Sequence, residues 1–409
     1  MATFNPYSSE FLADPYRVYD QLRDDTPAFF SEEWQLVFFT RHDDVTSILK
    51  DRDRFGRDFR HRMSPSEVDP AVYERIYPSS LPNWTRYNRE SFIDLEPPRH
   101  TRLRRLVSKA FTRRSSEVFR ERLETAADRV LDDALEAGSM EVISEFATPI
   151  PVAMIADLMG VPGEDHQKLI DWSNAIVKVY DENVSEDDAS AAETATTEFV
   201  EYLEAVLAER RRNRGTDLIT AMIEVEESGD TLTDEEIVAT SILTLNAGHE
   251  ATVHAIGNGM LALSRDPEAY QALRDQSVDL GRAVDELLRY DTPLQMFERW
   301  VLEDTEVRGQ RLEKGAKVGL LFGAANHDPE VFGTDAGSLN LGRDPNPHVS
   351  FGAGLHYCVG APLAKVELEA AFGRMASRVK GLELREVSDR IESLVFRGVG
   401  RLEVTLDPA

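Results

Sequence analysis

The sequence is poor in cysteine. Cys358 is the one thiol in 409 residues, so no internal disulfide can form and no multi-thiolate metal site exists. A single thiol in so long a chain is an inert core filler, a nucleophile or one ligand of a metal. Basic side chains are also scarce: 46 Lys and Arg stand against 74 Asp and Glu, for a net charge of −28. That excludes nonspecific nucleic-acid binding, which needs clustered cations to neutralise phosphate, and it disfavours docking on an anionic membrane. No stretch approaches the roughly 20 apolar residues of a membrane-spanning helix. Residues 1–20 are polar and acidic, without a basic start or an apolar core, so no secretory signal is expected. A composition of 42% apolar and 29% charged residues is that of a soluble globular protein, and a cytoplasmic location is expected. No repeat and no shift in composition marks a boundary. Residues 1–409 are expected to form a single domain, mainly α with a small β portion (α+β).

Helical periodicity dominates what is present. Tyr16, Val18, Tyr19 and Leu22 share one face of a short helix from Pro15 to Arg23. The spacing predicts further helices over 43–50, 99–138, 164–180, 189–212, 268–290 and 361–379. Residues 35–40, 394–396 and 402–406 read as strands, and 305–321 as short strands and turns. Residues 57–93, with prolines and scattered aromatics, read as a long irregular connection.

The strongest helix signal starts at Thr233, where Glu236 three residues later completes a capping box. An apolar-rich run then continues to Asp266-Pro267, giving a helix of about 47 Å at 1.5 Å per residue. Its centre, Asn246-Ala247-Gly248-His249-Glu250-Ala251-Thr252, puts glycine and polar groups where a core helix wants leucine. Gly248 costs about 1 kcal/mol relative to Ala. Local rules that fail inside a consistent element point to a functional site.

A second irregularity surrounds the thiol. In Phe351-Gly352-Ala353-Gly354-Leu355-His356-Tyr357-Cys358-Val359-Gly360, three glycines permit unusual backbone angles and close approach of a large group. A helix begins just behind, and helix N-termini stabilise thiolates. An inert core cysteine needs none of this.

With Leu363, Ala364 and Glu367 following, this segment resembles the haem-binding loop of the cytochrome P450 superfamily. Other segments fit in order: Glu286-Leu287-Leu288-Arg289 resembles the Glu-x-x-Arg helix motif, and Asn326-His327-Asp328-Pro329 the Asn-Arg-Asp-Pro turn, with His for Arg. Ala247-Gly248-His249-Glu250 resembles the oxygen-binding turn. Glu96-Pro97-Pro98-Arg99-His100 with Arg102 to Arg105 resembles the Asp-Pro-Pro-x-His segment, with Glu for Asp. The resemblance implies the P450 fold, with the long helix over haem b (iron protoporphyrin IX) and Cys358 as the thiolate ligand to iron. Such a ligand pushes electron density onto the metal and favours O–O cleavage. The resemblance also nominates His100, Arg104, Arg299 and His356 for the haem carboxylates, with Ala247, Phe351 and Gly360 lining the cofactor. Glu286 and Arg289 are expected to form a buried network with Arg343.

One departure matters. Most of the family has Thr after the acidic residue of the long helix, and its hydroxyl helps deliver protons to the reacting oxygen. Here Ala251 holds that place and Thr252 comes one later, about 100° around the helix. The Thr252 hydroxyl is expected to bond back to the Gly248 carbonyl. Protons must then come from Glu250, water or a substrate hydroxyl. By resemblance the substrate pocket draws on Leu81, Trp84, Leu243, Asn246, Ala247, Leu294, Gln295, Met296, Val395 and Phe396.

The chemistry so implied is monooxygenation. O2 and two electrons act on a C–H bond of a small or medium oxygen-bearing organic substrate, giving hydroxylation or oxidative O-dealkylation. A peroxide-driven peroxygenase, an oxidative coupling enzyme and a haem-based sensor are alternatives on the same site. No reductase-like segment follows the Cys358 helix in this sequence, so a separate ferredoxin-type donor is expected. Residues 99–114 carry Arg99, Arg102, Arg104, Arg105, Lys109, Arg113 and Arg114 with no acid, a basic island suited to that acidic partner. A zinc site at His249-Glu250 and His254 is excluded, since that spacing puts the histidines about 140° apart on a helix.

Overall fold

The computed structural model describes residues 4–89, 91–109, 111, 117, 119–180, 184–227 and 230–408. The chain divides into two compact units, one of residues 1–56, 118–150 and 251–409, the other of 57–117 and 151–250.

The first unit carries the strands β1 (Ala28–Ser31), β2 (Leu36–Phe39), β3 (Phe55–Gly56), β4 (Ser139–Glu141), β5 (Met296–Val301), β6 (Lys317–Leu321), β7 (Val379–Val387) and β8 (Leu402–Pro408). They form a five-stranded sheet in the order β1-β2-β6-β5-β3 and a three-stranded sheet in the order β7-β8-β4. The four apolar residues of β2 explain why the larger sheet is covered on both faces. Phe39 joins Val45, Ile48, Leu49, Val318 and Leu320 in one buried cluster, while Leu36 and Phe38 join Phe4, Tyr19, Trp34 and Leu321 in another. β2 pairs parallel with β6, Leu36 opposite Lys317. The β7 strand, where Leu382 and Leu384 alternate with charged residues, went unread in the sequence. Residues 394–396 make only a bridge, Leu294 to Phe396.

Four helices position the sites discussed below: α1 (Arg99–Val107), α2 (Asp234–Arg265), α3 (Leu280–Tyr290) and α4 (Ala361–Arg378). The capping box of α2 is formed, with the Thr233 N–H donating to Glu236 at 2.9 Å and the Glu236 N–H to Thr233 Oγ1 at 3.2 Å. The helix expected over 268–290 is two. Pro267–Arg274 ends near Gln276, whose φ is +53°, and Asp279 caps α3 by accepting from the Arg282 N–H at 3.0 Å. The expected irregular connection at 57–93 is also corrected. It holds helices at Pro70–Ile76 and Pro82–Trp84 and a π-turn at Thr85–Arg89. Pro65, Pro70 and Pro82 open helical turns, where their missing N–H costs nothing. One helical stretch, Val142–Met159, reaches a mean hydropathy of 1.4 over 18 residues, and 61% of it is buried inside the protein. A core helix satisfies the same test.

In the second unit, Trp172 stacks on Phe199 with centroids 5.0 Å apart, joining helices His166–Val177 and Glu186–Arg212. In the first, α4 is tied to helix Arg120–Ala137 by Arg120–Glu369 at 2.6 Å and Arg374–Asp128 at 2.8 Å.

Glu367 lies within α4 at 3% exposure, and burial pushes its carboxyl up to about 8. Its stabilising effect is complete in acid, where folded and unfolded chains both bind the proton. It is lost as pH rises from the ordinary carboxyl range through about 8, at up to about 1.4 kcal/mol per pH unit. Glu367→Gln is therefore expected to raise stability by about 3 kcal/mol at pH 7 and to change it little at pH 4.5, which paired urea titrations will read.

Candidate cofactor and substrate site

The loop before α4 is folded by its own backbone. The Gly352 N–H donates to Val349 O at 2.7 Å and the Cys358 N–H to Phe351 O at 2.9 Å. Gly352 and Gly354 sit at φ +70° and +69°, and a side chain on Gly354 would collide with the Leu49 carbonyl. These two glycines are required by geometry. The result is an exposed Cys358 thiol three positions before α4 begins. A Cβ added to Gly360 would sit 3.9 Å from the sulfur, so glycine keeps that approach clear. Phe351 is half-buried beside Tyr357, centroids 6.3 Å apart, with the Lys365 ammonium 5.9 Å above its ring.

Behind the loop lies a charge network without exposure. Glu286 and Arg289 are each 0% exposed. Arg289 grips Glu286 with two contacts, 2.7 and 2.8 Å, and donates to the carbonyls of Asn326 at 2.8 Å and Ala336 at 2.7 Å. Arg343 Nε lies 3.2 Å from both Glu286 oxygens. The Asn326 side chain accepts from the Val349 N–H at 2.8 Å and donates to Ser350 Oγ at 2.9 Å. The chain of contacts thus runs from α3 to the residue preceding Phe351. His327 stacks on Tyr16, centroids 3.9 Å apart, and burial drives its pKa down to about 3. It is a neutral ring at any ordinary pH.

The residues nominated for the haem carboxylates divide between the two units. In the first, Arg299 on β5 is buried, with its guanidinium 5.5 Å over Phe297 and Nη1 donating to Glu298 O at 2.8 Å. His356, in the turn Gly354–His356, is half-buried. In the second, His100 on α1 is fully buried and Arg104, one turn on, is half-buried. Helical spacing places these two on one face. A soft sulfur donor with guanidinium and imidazole N–H groups is the donor set a haem requires: a thiolate for iron, and donors for its carboxylates.

Helix α2 changes character at its centre. Leu245, Ile256 and Met260 are buried, yet Ala247 is exposed, and Leu243, Glu250 and Ala251 are partly exposed. Leu243, Ala247 and Ala251, four apart, make one accessible stripe of small and apolar groups on a helix buried at 237–242 and 252–263. Thr252 and Asn246 are buried beside it. The Gly248 irregularity has a packing cause as well: a Cβ there would stand 2.9 Å from Ile155 Cδ1.

Several nominated pocket residues are core instead. Trp84 is 0% exposed, its Nε1 donates to Ile176 O at 3.2 Å, and the Arg89 guanidinium lies 5.1 Å over its ring. Leu81 is buried. Met296 packs with Phe4, Phe38 and Leu321, and Gln295 is spent on Tyr19 at 3.0 Å and the Thr292 carbonyl at 2.6 Å. Leu294, Val395 and Phe396 remain partly exposed. The basic island is also smaller than its sequence. Arg102 is engaged by Asp230 at 2.7 Å and Glu236 at 2.5 Å. Arg99, Arg105 and Lys109 are exposed, and Arg113 and Arg114 lie outside the described residues. Asn88 and Tyr180 were not nominated, yet Asn88 Oδ1 lies 3.5 Å from Asn246 Nδ2 and 3.3 Å from the Tyr180 hydroxyl. No local sequence signal links these three positions.

Comparison with known proteins gives the family and the fold. A family model described as Cytochrome P450 matches residues 68–279 and 280–394. Polyketide biosynthesis cytochrome P450 PksS of Bacillus subtilis (strain 168) is 33% identical over 414 residues, spanning 98% of this chain and 98% of that protein. Cytochrome P450 monooxygenase PikC of Streptomyces venezuelae is 33% identical over 386 residues, spanning 92% and 86%. The solved structure of P450BioI in complex with hexadec-9Z-enoic acid ligated acyl carrier protein matches with a TM-score of 0.89 at 32% identity, covering 98% of this chain and 99% of that one.

Proposed function

The chain belongs to the cytochrome P450 family, as a monooxygenase with haem b as cofactor, and from that premise we propose that it hydroxylates or oxidatively O-dealkylates a small or medium organic substrate bearing a polar oxygen near the site of attack. When bound, the haem supplies O2 activation at an iron whose thiolate ligand favours O–O cleavage. Cys358 is the residue that holds the iron. Arg299 and His356, in the same unit as Cys358, would hold carboxylates of the cofactor.

The observation that carries the substrate reading is Ala251. It occupies the accessible stripe of α2 with a methyl group and no hydroxyl, and Thr252 is buried. Glu250, 22% exposed at its side chain, can take up and release a proton but lies one position away. A hydroxyl on the substrate supplies the missing donor. The names of relatives support this: PksS acts in polyketide biosynthesis, and polyketides are rich in oxygen.

Electrons come from a separate ferredoxin-type protein. The exposed Arg99, Arg105 and Lys109 suit its acidic surface. A cytoplasmic location goes with such a donor.

The test is coupling, measured as product formed per NADH consumed with a surrogate ferredoxin and reductase. Wild-type protein is expected to leak most of its electrons to peroxide on a bare hydrocarbon. It should couple several-fold better on an alcohol of the same skeleton. Ala251→Thr should raise coupling on the hydrocarbon several-fold. Efficient wild-type coupling on the bare hydrocarbon overturns the reading.

A further inference from the structure

Two ties run from α3 to the Cys358 loop. The first is the Glu286 network, which turns inward to Arg289 and Arg343. The second starts at the neighbouring residue. Asp285 lies about 100° further around the helix, with its side chain 27% exposed. Its Oδ1 takes two donors: Lys365 Nζ of α4 lies at 2.7 Å and His348 Nε2 at 3.4 Å. Against the cost of burial, these two partners hold the Asp285 carboxyl below the usual carboxylate range, so it is an anion at working pH.

The His348 side chain is 6% exposed, and its surroundings fix which nitrogen carries the proton. The Ser350 N–H donates to Nδ1 at 3.3 Å. An amide N–H can only donate, so Nδ1 is bare and Nε2–H faces Asp285. The contact to Ser350 spans two residues, the turn that an Asn side chain makes with its own backbone. The imidazole makes that turn and reaches α3 as well. Ser350 immediately precedes Phe351. The His348 and Phe351 ring centroids lie 5.9 Å apart, and the Lys365 ammonium stands 5.9 Å from the Phe351 centroid. Both groups that flank Phe351 are thus held by one carboxylate. The Phe351 carbonyl in turn accepts the Cys358 N–H at 2.9 Å. All of these residues belong to one unit.

We infer that Asp285 is a positioning residue for the iron ligand: it holds the Ser350 amide through His348 and the Phe351 ring through Lys365, and so fixes the peptide whose carbonyl takes the Cys358 N–H. The Glu286 network reaches the same place by another route, since Asn326 donates to Ser350 Oγ at 2.9 Å. Ser350 is therefore held at its amide from one side and at its hydroxyl from the other, and it cannot rotate without breaking one of the two. Asp285 also balances the Lys365 charge beside the loop. An unbalanced cation there would favour the reduced, more negative state of a bound iron. The inference rests on Cys358 as the ligand and uses no substrate, so the oxygen-bearing reading stands or falls apart from it.

The test uses haem-loaded protein, reduced and treated with carbon monoxide, and reads the ratio of thiolate-ligated to thiol-ligated form from the spectrum. His348→Phe keeps a ring but offers the Ser350 N–H no acceptor, and should lower that ratio about tenfold. His348→Asn can remake the two-residue turn and should stay within about threefold of wild type. Asp285→Ala should lower the ratio about three- to tenfold in the wild-type background. In the His348→Asn background it should do so less than about twofold, because it acts through the imidazole. Asp285→Ala should also move the reduction equilibrium about three- to tenfold toward the reduced form, or about 30–60 mV for one electron. Lys365→Met in the same chain should cancel that shift, and added salt should shrink it. Equal effects of Asp285→Ala on the ratio in the two backgrounds overturn the assignment, as does an unmoved potential. So do ratios that merely follow the urea midpoints of the haem-free chains, which would mark a structural role alone.

Discussion

Cys358→Ala is expected to abolish the thiolate band of the reduced, carbon-monoxide-treated protein and to bring turnover down to background. Alanine offers iron no ligand, and the cationic residues that remain can bind carboxylates but cannot replace a sulfur donor. The same variant is expected to leave the polypeptide intact. The thiol is exposed, the loop is held by its glycines and backbone hydrogen bonds, and neither depends on sulfur. Urea unfolding of the haem-free chains should therefore agree within about 0.5 kcal/mol, as for surface substitutions in general. A core cysteine would give the reverse pattern, with a cost in stability and no spectral change. A surviving thiolate band in Cys358→Ala would defeat the assignment outright.

The second large effect lies behind the loop. Glu286→Ala removes a fully buried carboxylate that faces both Arg289 and Arg343, leaving Arg343 only the carboxylate of the exposed Asp335 among the described residues. Breaking a buried pair in this way costs about 3–5 kcal/mol, because the surviving charge stays buried, and here two guanidiniums survive. That is a large part of the 5–15 kcal/mol a folded protein typically holds. The damage should also reach the cofactor. Arg289 positions the Asn326 carbonyl, and the Asn326 side chain holds Val349 and Ser350 at the start of the Cys358 loop. We expect Glu286→Ala to purify with little haem and to unfold at markedly lower urea. Glu286→Asp, which keeps the charge, should recover part of both. A variant with full haem content and an unchanged midpoint would show the network to be dispensable.

The parts legible in the sequence are those whose signals are local. The Cys358 loop, the Thr233 capping box and the break at Asp266-Pro267 each lie within a dozen residues, and the backbone there follows directly from glycine, hydroxyl and proline chemistry. Prolines misled over 57–93 because the same residue that ends a helix also starts one, and only the fold decides between them. Trp84 and Met296 failed for a different reason. An apolar side chain looks the same whether it lines a cavity or fills a core, and the answer depends on partners such as Ile176 or Phe38 far away in sequence. Arg102 looked like part of a docking surface until Asp230 and Glu236 came to meet it. Asn88, Tyr180 and Asn246 come from three distant stretches. Nothing in any one of them announces that the three side chains will meet.

The contact between Gly354 and the Leu49 carbonyl has a consequence for how the protein is made. Residues 42–50 and the Cys358 loop meet backbone to backbone, and His42 Nε2 reaches Pro347 O at 2.9 Å across 305 positions of chain. β2 likewise finds its parallel neighbour only in β6. A growing chain cannot complete this framework until residues 317–354 have left the ribosome, and such long-range pairings are slow to close. The early segment must therefore wait, with Leu36, Phe38 and Phe39 still uncovered. A cofactor held by Cys358 can be taken up only after that loop has emerged and closed on residues 42–50.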